Sequence, residues 1–362
     1  AISHQRFKPA KRSIFNTSGA SMSEFKLPIS GREPAQRIQI GPYPLLEGLG
    51  LVMRNLFGPS VDNPVGITFA ASGQVCNTIE PVLTLGVGGD VMMMFGRDWQ
   101  IDSSLRDFFA PCDRVLLNME GVITDQPKRG PDQKHDARII PALAQLSDPS
   151  KTWLSLANNH SADFGHADCL SSMRQFEQAG YRCFGLQDSP YADLHPALRV
   201  VAATQWSNRP SQDLYWLDQT PEQHRRTDCF NLLFPHWSYE MECYPRVSAV
   251  AQMQQWLTQF DAVVGHHSHT PQPIALHTVQ DARQQLAAYS LGDLCFGLGF
   301  KNWPALKHYP YGIVARVEIG RLTADPSRWA IGRLDWSFVD CAASADKRSF
   351  TSKLVAGIPY FR

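Results

Sequence analysis

Val82-Leu83-Thr84-Leu85-Gly86-Val87-Gly88-Gly89-Asp90 is a short apolar run that closes on two glycines and a carboxylate. A run of that length between turn residues reads as a buried strand better than as a helix. It delivers Asp90 just past the strand's probable C-terminal end, where α/β folds build their sites. The pattern returns four times. Arg114-Val115-Leu116-Leu117 leads into Asn118-Met119-Glu120-Gly121, and Thr152-Trp153-Leu154-Ser155-Leu156-Ala157 leads into Asn158-Asn159-His160. Phe230-Asn231-Leu232-Leu233-Phe234-Pro235 leads into His236, and Asp261-Ala262-Val263-Val264-Gly265 leads into His266-His267-Ser268-His269. Five short strands, each ending on a group able to bind metal or move a proton, are the decisive feature of the chain.

Working outward, the segments between these runs have helical spacing. Leu170, Met173, Phe176 and Ala179 form one apolar stripe, stopped by Gly180; Val250, Met253, Leu257 and Phe260 form another. Both are expected to face a core. Residues 1–80 differ in texture, with Gly41-Pro42-Tyr43-Pro44, Gly58-Pro59-Ser60 and Asn63-Pro64 and few periodic runs. They read as an N-terminal extension or arm, and residues 81–362 as one α/β domain.

The composition sets outer bounds. With 34 Lys+Arg against 34 Asp+Glu, the net charge of +0 argues against a broad nucleic-acid-binding surface. The eight cysteines are scattered without a C-x-x-C pair, as buried thiols in a reducing compartment would be. Ala1 to Ala20 lack the apolar core of a secretory signal, and no apolar stretch is long enough to span a membrane. A soluble, cytoplasmic protein is the expectation, with self-association left open.

If the strand ends converge, one pocket holds Asp90, Glu120, Asn159, His160, His236, His267 and His269. A lone histidine or aspartate at a strand end is ordinarily a hydrogen-bonded structural group. Their recurrence in one chain is what gives weight to a site. Carboxylates, imidazoles and an amide oxygen suit Mn²⁺, Fe²⁺ or Zn²⁺. Seven groups exceed the needs of one tetrahedral ion, so two divalent ions about 3.5–4 Å apart are the economical arrangement.

The order of these motifs carries a resemblance. Gly89-Asp90-Val91-Met92 with Gly96-Arg97, Asn118-Met119-Glu120-Gly121-Val122-Ile123-Thr124 and Leu156-Ala157-Asn158-Asn159-His160 with Asp163-Phe164-Gly165 resemble the poly-gamma-glutamate capsule-biosynthesis (CapA-type) family. Pro235-His236-Trp237 with Glu240, Val264-Gly265-His266-His267-Ser268-His269 and Tyr289-Ser290-Leu291-Gly292-Asp293 complete the series. That family is a branch of the calcineurin-like metallophosphoesterases, and the likeness covers about residues 81–320. It implies a four-layer α/β/β/α sandwich with a dinuclear site at one edge of paired sheets. By motif, Asp90, Glu120, Asn159, His236, His267 and His269 would be ligands, and His160 the leaving-group acid or transition-state stabiliser. Glu240 would orient His236, and Arg97 and Trp237 would meet the substrate. Met92 replaces the superfamily's histidine, which leaves one ion or two open. Ser238, Ser268 and Asp293 also depart from the family pattern, and the carboxylate at Asp293 would alter substrate charge preference.

Three functions compete. The first is a metal-dependent hydrolase whose metal-bound hydroxide attacks an amide, ester, thioester or phosphoester of a small carboxylate-bearing or peptide-like substrate. Its rim would draw on Trp206, Arg209, Tyr215, Trp216, Tyr239, Tyr244, Arg246, Phe300, Lys301 and Trp303, although many such aromatics are core. The second is a non-catalytic accessory protein of poly-gamma-glutamate (capsule) synthesis or export. The third is a biosynthetic enzyme whose arm, carrying Tyr43, Leu45, Leu46, Leu49, Phe57 and Phe69, folds over the pocket or pairs two copies.

Overall fold

All five apolar runs form strands. The computed structural model describes residues 28–29, 39–279, 281–297 and 309–361. In chain order its main elements begin with α1 (Leu45–Phe57), β1 (Ile79–Val91), β2 (Asp98–Ile101), α2 (Ser103–Phe109), β3 (Arg114–Met119), β4 (Thr152–Ser155) and α3 (His166–Gln178). There follow β5 (Arg182–Phe184), β6 (Tyr191–His195), β7 (Leu198–Thr204), β8 (Phe230–His236), α4 (Val247–Leu257) and β9 (Ala262–Val264). The last are β10 (Ile274–Thr278), β11 (Gln284–Ala288), β12 (Asp293–Cys295), β13 (Tyr311–Leu322), β14 (Trp329–Ala343) and β15 (Ser349–Val355).

They build two sheets. The larger runs β5-β4-β3-β1-β13-β14-β15-β2, with β12 alongside the end of β1 and Gln74–Val75 on β14. It is parallel from β5 to β1 and antiparallel from β1 to β15. The smaller runs β6-β7-β8-β9-β11-β10, parallel through its four central strands.

Side-chain alternation assigns each face. Leu83, Leu85 and Val87 of β1 pack between the sheets against Leu198, Val200 and Ala202 of β7 and Phe230, Leu232 and Phe234 of β8. On the outer face of the large sheet, Val115 and Leu117 of β3 meet Leu105 and Phe109 of α2 and Phe176 of α3. On the outer face of the small sheet, Val201, Leu233 and Val263 meet Met253, Trp256 and Leu257 of α4. The order of layers is therefore α/β/β/α, as the motifs imply. Both helical stripes face these outer cores, with Leu170, Met173, Ala179 and Val250 at the margins. All eight cysteines are free and none is fully exposed.

Two features position the site. The first is the close approach of β12 to β1. A Cβ on Gly89 would lie 1.9 Å from the Gly292 carbonyl oxygen, so only glycine fits. That carbonyl accepts the Asp90 N–H at 2.8 Å, and Asp293 stands opposite Asp90 in register. Asp90 is thus the penultimate residue of β1 rather than one beyond its end.

The second is α1, which packs with its polarity reversed. Glu47, Arg54 and Asn55 turn toward the protein, whereas Leu46 is 84% exposed and Phe57 79%. Arg54 Nε donates to the Glu240 carbonyl at 2.9 Å, and Arg246 bridges Glu47 at 2.7 Å and Glu242 at 2.6 Å. The helix is held by ion pairs and hydrogen bonds, with Leu51 alone of its leucines packed against a small buried cluster of Met92, Met241, Phe296 and Tyr309. No helix among the described residues is long and apolar enough to cross a membrane.

Candidate metal centre

Strand ends from both sheets meet at one edge. From the large sheet come Asp90, Glu120 after β3, Asn159 and His160 after β4, and Asp293 at the start of β12. From the small sheet come His236 at the end of β8 and His266, His267 and His269 after β9. All nine are buried. Three overlapping groups bring their donor atoms within 4.8 Å of one another: Asp90, His236 and His266; Glu120, His267 and His269; Asp90, His269 and Asp293.

Polar partners fix the orientation of most members. Asn118 Nδ2 donates to Asp90 Oδ1 at 2.7 Å, and the His267 N–H donates to Asp90 Oδ2 at 3.0 Å. His236 Nε2 lies 2.7 Å from Asn159 Oδ1, and its Nδ1 lies 2.7 Å from His266 Nδ1. His269 Nδ1 lies 2.9 Å from Asp293 Oδ1. His160 Nδ1 is held by Asp163 Oδ2 at 2.6 Å, which aims its Nε2 toward Glu120 Oε1 at 3.7 Å. His267 (φ 102°) and His269 (φ 52°) both sit in the left-handed backbone region that side chains avoid. Such strain, about 1–3 kcal/mol per residue, persists where surrounding structure enforces it and clusters at functional sites.

Several buried donor atoms have no hydrogen-bond partner among the described residues: both Glu120 carboxylate oxygens, His266 Nε2, His267 Nδ1 and Asp293 Oδ2. An unmet buried polar atom costs about 1–3 kcal/mol, more when charged. Carboxylates and imidazoles left open toward one another are the donor set of a borderline divalent cation, and these residues fit one. The charges concur. Burial, reinforced by the Asp90 charge, pushes the Glu120 carboxyl far above its ordinary range. Burial raises Asp293 to about 7 against the pull of His269. Burial also works on Asp90, but the hydrogen bond and charge of His266 outweigh it and the net shift is downward. His236 and His267 are pushed well down by burial and by neighbouring imidazoles, so they are neutral and able to ligate.

Three expectations are corrected. Trp237 does not meet substrate: it is 1% exposed, donates Nε1–H to the Tyr289 carbonyl at 3.1 Å and packs on Trp256. Adjacent strand residues face opposite sides, so next to His236 it has to point into the outer core. Glu240 does not orient His236, whose ring nitrogens meet Asn159 and His266; its carboxylate accepts from the Tyr43 hydroxyl at 3.2 Å. Arg97 is buried and donates to the Gly297 carbonyl at 2.5 Å, tying down its own loop instead of gripping an anion.

Of the expected rim, Trp206, Tyr215 and Trp216 are core, Arg209 pairs with Asp132 and Arg246 with Glu47 and Glu242. Phe300, Lys301 and Trp303 lie outside the described residues. His266 and Asp293 were not among the expected ligands, although both stand inside the quoted motifs. Tyr43, from the arm, places its hydroxyl 2.6 Å from His267 Nε2. A cleft of about 780 Å³ is lined by Met94, Phe95, Ile123, Lys128, Lys134 and His135, with Asp125, Asp136 and Asp168 also in its wall; no cluster residue is among its lining. His135, in its wall, places Nε2 3.0 Å from the Glu120 backbone carbonyl.

Fold and site together define a four-layer α/β/β/α protein with a candidate metal centre at the shared edge of its sheets. Residues 84–207 and 217–298, more than half of the chain, match the family described as bacterial capsule synthesis protein PGA_cap, and the chain belongs to that family. No curated protein matches the sequence. Among solved structures, a hypothetical protein from Thermus thermophilus is similar at 13% identity and a TM-score of 0.40, over 70% of this chain and 98% of that one. The calcineurin-like phosphoesterase YfkN from Bacillus subtilis is similar at 10% identity and a TM-score of 0.36, over 71% and 90%.

Proposed function

We propose that the protein is a metal-dependent hydrolase acting on an amide, ester, thioester or phosphoester of a small carboxylate-bearing or peptide-like substrate. The observation that carries the reading is the set of buried carboxylate and imidazole atoms on Glu120, His266, His267 and Asp293 that have no hydrogen-bond partner among the described residues, converging from two sheets. In this reading Asp90, Glu120, Asn159, His236, His267 and His269 hold Mn²⁺, Fe²⁺ or Zn²⁺, one ion or two, joined by His266 and Asp293. Bound there, a divalent cation supplies Lewis acidity and a nucleophile near neutral pH.

The chain's own residues supply the rest. Asp163 fixes the His160 ring through Nδ1, leaving Nε2 to give a proton to the leaving group. Asn118 and the His267 N–H anchor Asp90. The cleft is of the size that takes a small molecule, and its wall carries both charges, Lys128 and Lys134 with Asp125, Asp136 and Asp168. The family's description supports chemistry on a capsule polymer or its precursors, with a γ-glutamyl amide the first substrate to try.

The test is a panel of phosphoester, thioester and γ-glutamyl amide substrates with Mn²⁺- or Zn²⁺-loaded protein. Hydrolysis of one class, abolished together with metal content in His267→Ala, is the expected result. Turnover that persists without metal would sink the reading. Absence of both metal and turnover would favour the accessory role in capsule synthesis.

A further inference from the structure

We propose that Tyr43, which lies outside the family-matched residues, is a positioning residue of the metal centre: its hydroxyl fixes the His267 ring so that Nδ1 faces the ligand cluster. The proposal rests on the metal-centre reading above and adds to it a residue from the arm.

The hydrogen-bond inventory of one hydroxyl carries the inference. A tyrosine oxygen has one proton to give and two lone pairs to accept with. The Glu240 carboxylate can only accept, and its Oε1 takes the Tyr43 proton at 3.2 Å. The Glu240 N–H donates back to the same oxygen at 3.3 Å, which fills one lone pair. The remaining contact, His267 Nε2 at 2.6 Å, then has to be a donation from imidazole to tyrosine. With the proton on Nε2, Nδ1 carries the free lone pair, and Nδ1 is the buried His267 atom without a partner. A ligating histidine ordinarily gives its other N–H to an acceptor that fixes tautomer and ring angle; here a phenol does it and a carboxylate backs the phenol.

The placement of Tyr43 is over-determined. Its ring is fully buried, edge-on to Trp206 at 4.9 Å and tilted against Tyr239 at 5.8 Å. α1 begins two residues later and is pinned by Arg54 to the Glu240 carbonyl. Glu47 and Glu242 are both joined to Arg246, so ion pairs seat the helix on the same segment that carries Glu240. The reversed polarity of α1 follows, because its inward face, apart from Leu51, is polar and holds Tyr43 and the Glu240 segment in place.

Isothermal titration of the full-length protein with Mn²⁺, comparing wild type with Tyr43→Phe, tests the proposal. The variant keeps every ring contact and loses only the hydroxyl. The expected result is a loss of roughly 10–100-fold in Mn²⁺ affinity, with the thermal midpoint of the metal-free protein nearly unchanged. Equal Mn²⁺ affinity in the two proteins would overturn it. So would a tyrosinate charge-transfer band on loading with Fe³⁺, which would make Tyr43 a ligand. A wild type that takes up no Mn²⁺ would overturn this proposal and the hydrolase reading together, whereas equal binding overturns this one alone. If Tyr43→Phe fails to fold, Glu240→Gln serves: it removes the charge behind the phenol and is expected to weaken Mn²⁺ binding several-fold, and unchanged affinity would again overturn the proposal.

Discussion

Glu120 shows most sharply what single residues contribute. It is fully buried, both of its oxygens lack hydrogen-bond partners among the described residues, and burial and Asp90 oppose its charge. A residue so placed is a cost to the empty fold and a gain to the loaded one. Glu120→Gln is therefore expected to raise the stability of metal-free protein, by about 1–3 kcal/mol, while removing metal binding. Denaturation with chelator present checks the first half, and a lower midpoint would contradict it. Trp237→Phe tests the opposite case: losing the bond to the Tyr289 carbonyl should cost about 1–2 kcal/mol of stability and leave KM for any substrate unchanged. Seven site residues were legible in the sequence because each stands at the end of one of five strands or within a few positions after it. Trp237 was misread because its neighbour His236 drew it toward the site, although strand alternation already sends it the other way. Tyr43 could be placed only as part of an arm, since 224 positions separate it from His267 and no local pattern links them.

Among the elements, the β1–β12 crossing and α1 set the tolerance of the site. Gly89→Ala forces a methyl onto the Gly292 carbonyl and drives apart the strands that carry Asp90 and Asp293. The expected cost is about 3 kcal/mol or more, with metal affinity lost; normal affinity in a folded variant would refute this account of the crossing. On α1, burial raises the Glu47 carboxyl, but Arg246 and Arg54 outweigh it and hold it below its ordinary value. A depressed carboxyl contributes stability above its unfolded value, about 4.3, and loses it as pH falls through the lower folded value. Glu47→Gln should accordingly cost about 1 kcal/mol of stability at pH 7, read by urea denaturation, and the gap should shrink toward pH 4. A gap that widens on acidification would contradict it. The strands were readable from period and length. The reversed helix was not, because Leu45, Leu46, Leu49, Phe57 and their neighbours read as a face seeking a core, and only the tertiary ion pairs turn it outward.

For the whole molecule, the site exists only where two sheets share an edge, so its ligands report on the entire sandwich. The layer order was legible through the resemblance that the order of the motifs carries; the apolar runs by themselves showed strands buried on both faces. The sequence could not show which ring nitrogens face each other, which depends on pairs such as His236 and His266 brought together across strands. A cation that binds only the folded chain stabilises it by about 2.7 kcal/mol at a hundredfold excess over Kd, so chelation should lower the thermal midpoint. The most direct measurement is the metal content of full-length protein purified without chelator, read beside its His267→Ala variant. The account predicts one or two divalent ions per wild-type chain and none in the variant. Wild-type protein that hydrolyses substrate while free of metal, or equal metal in both proteins, would contradict it.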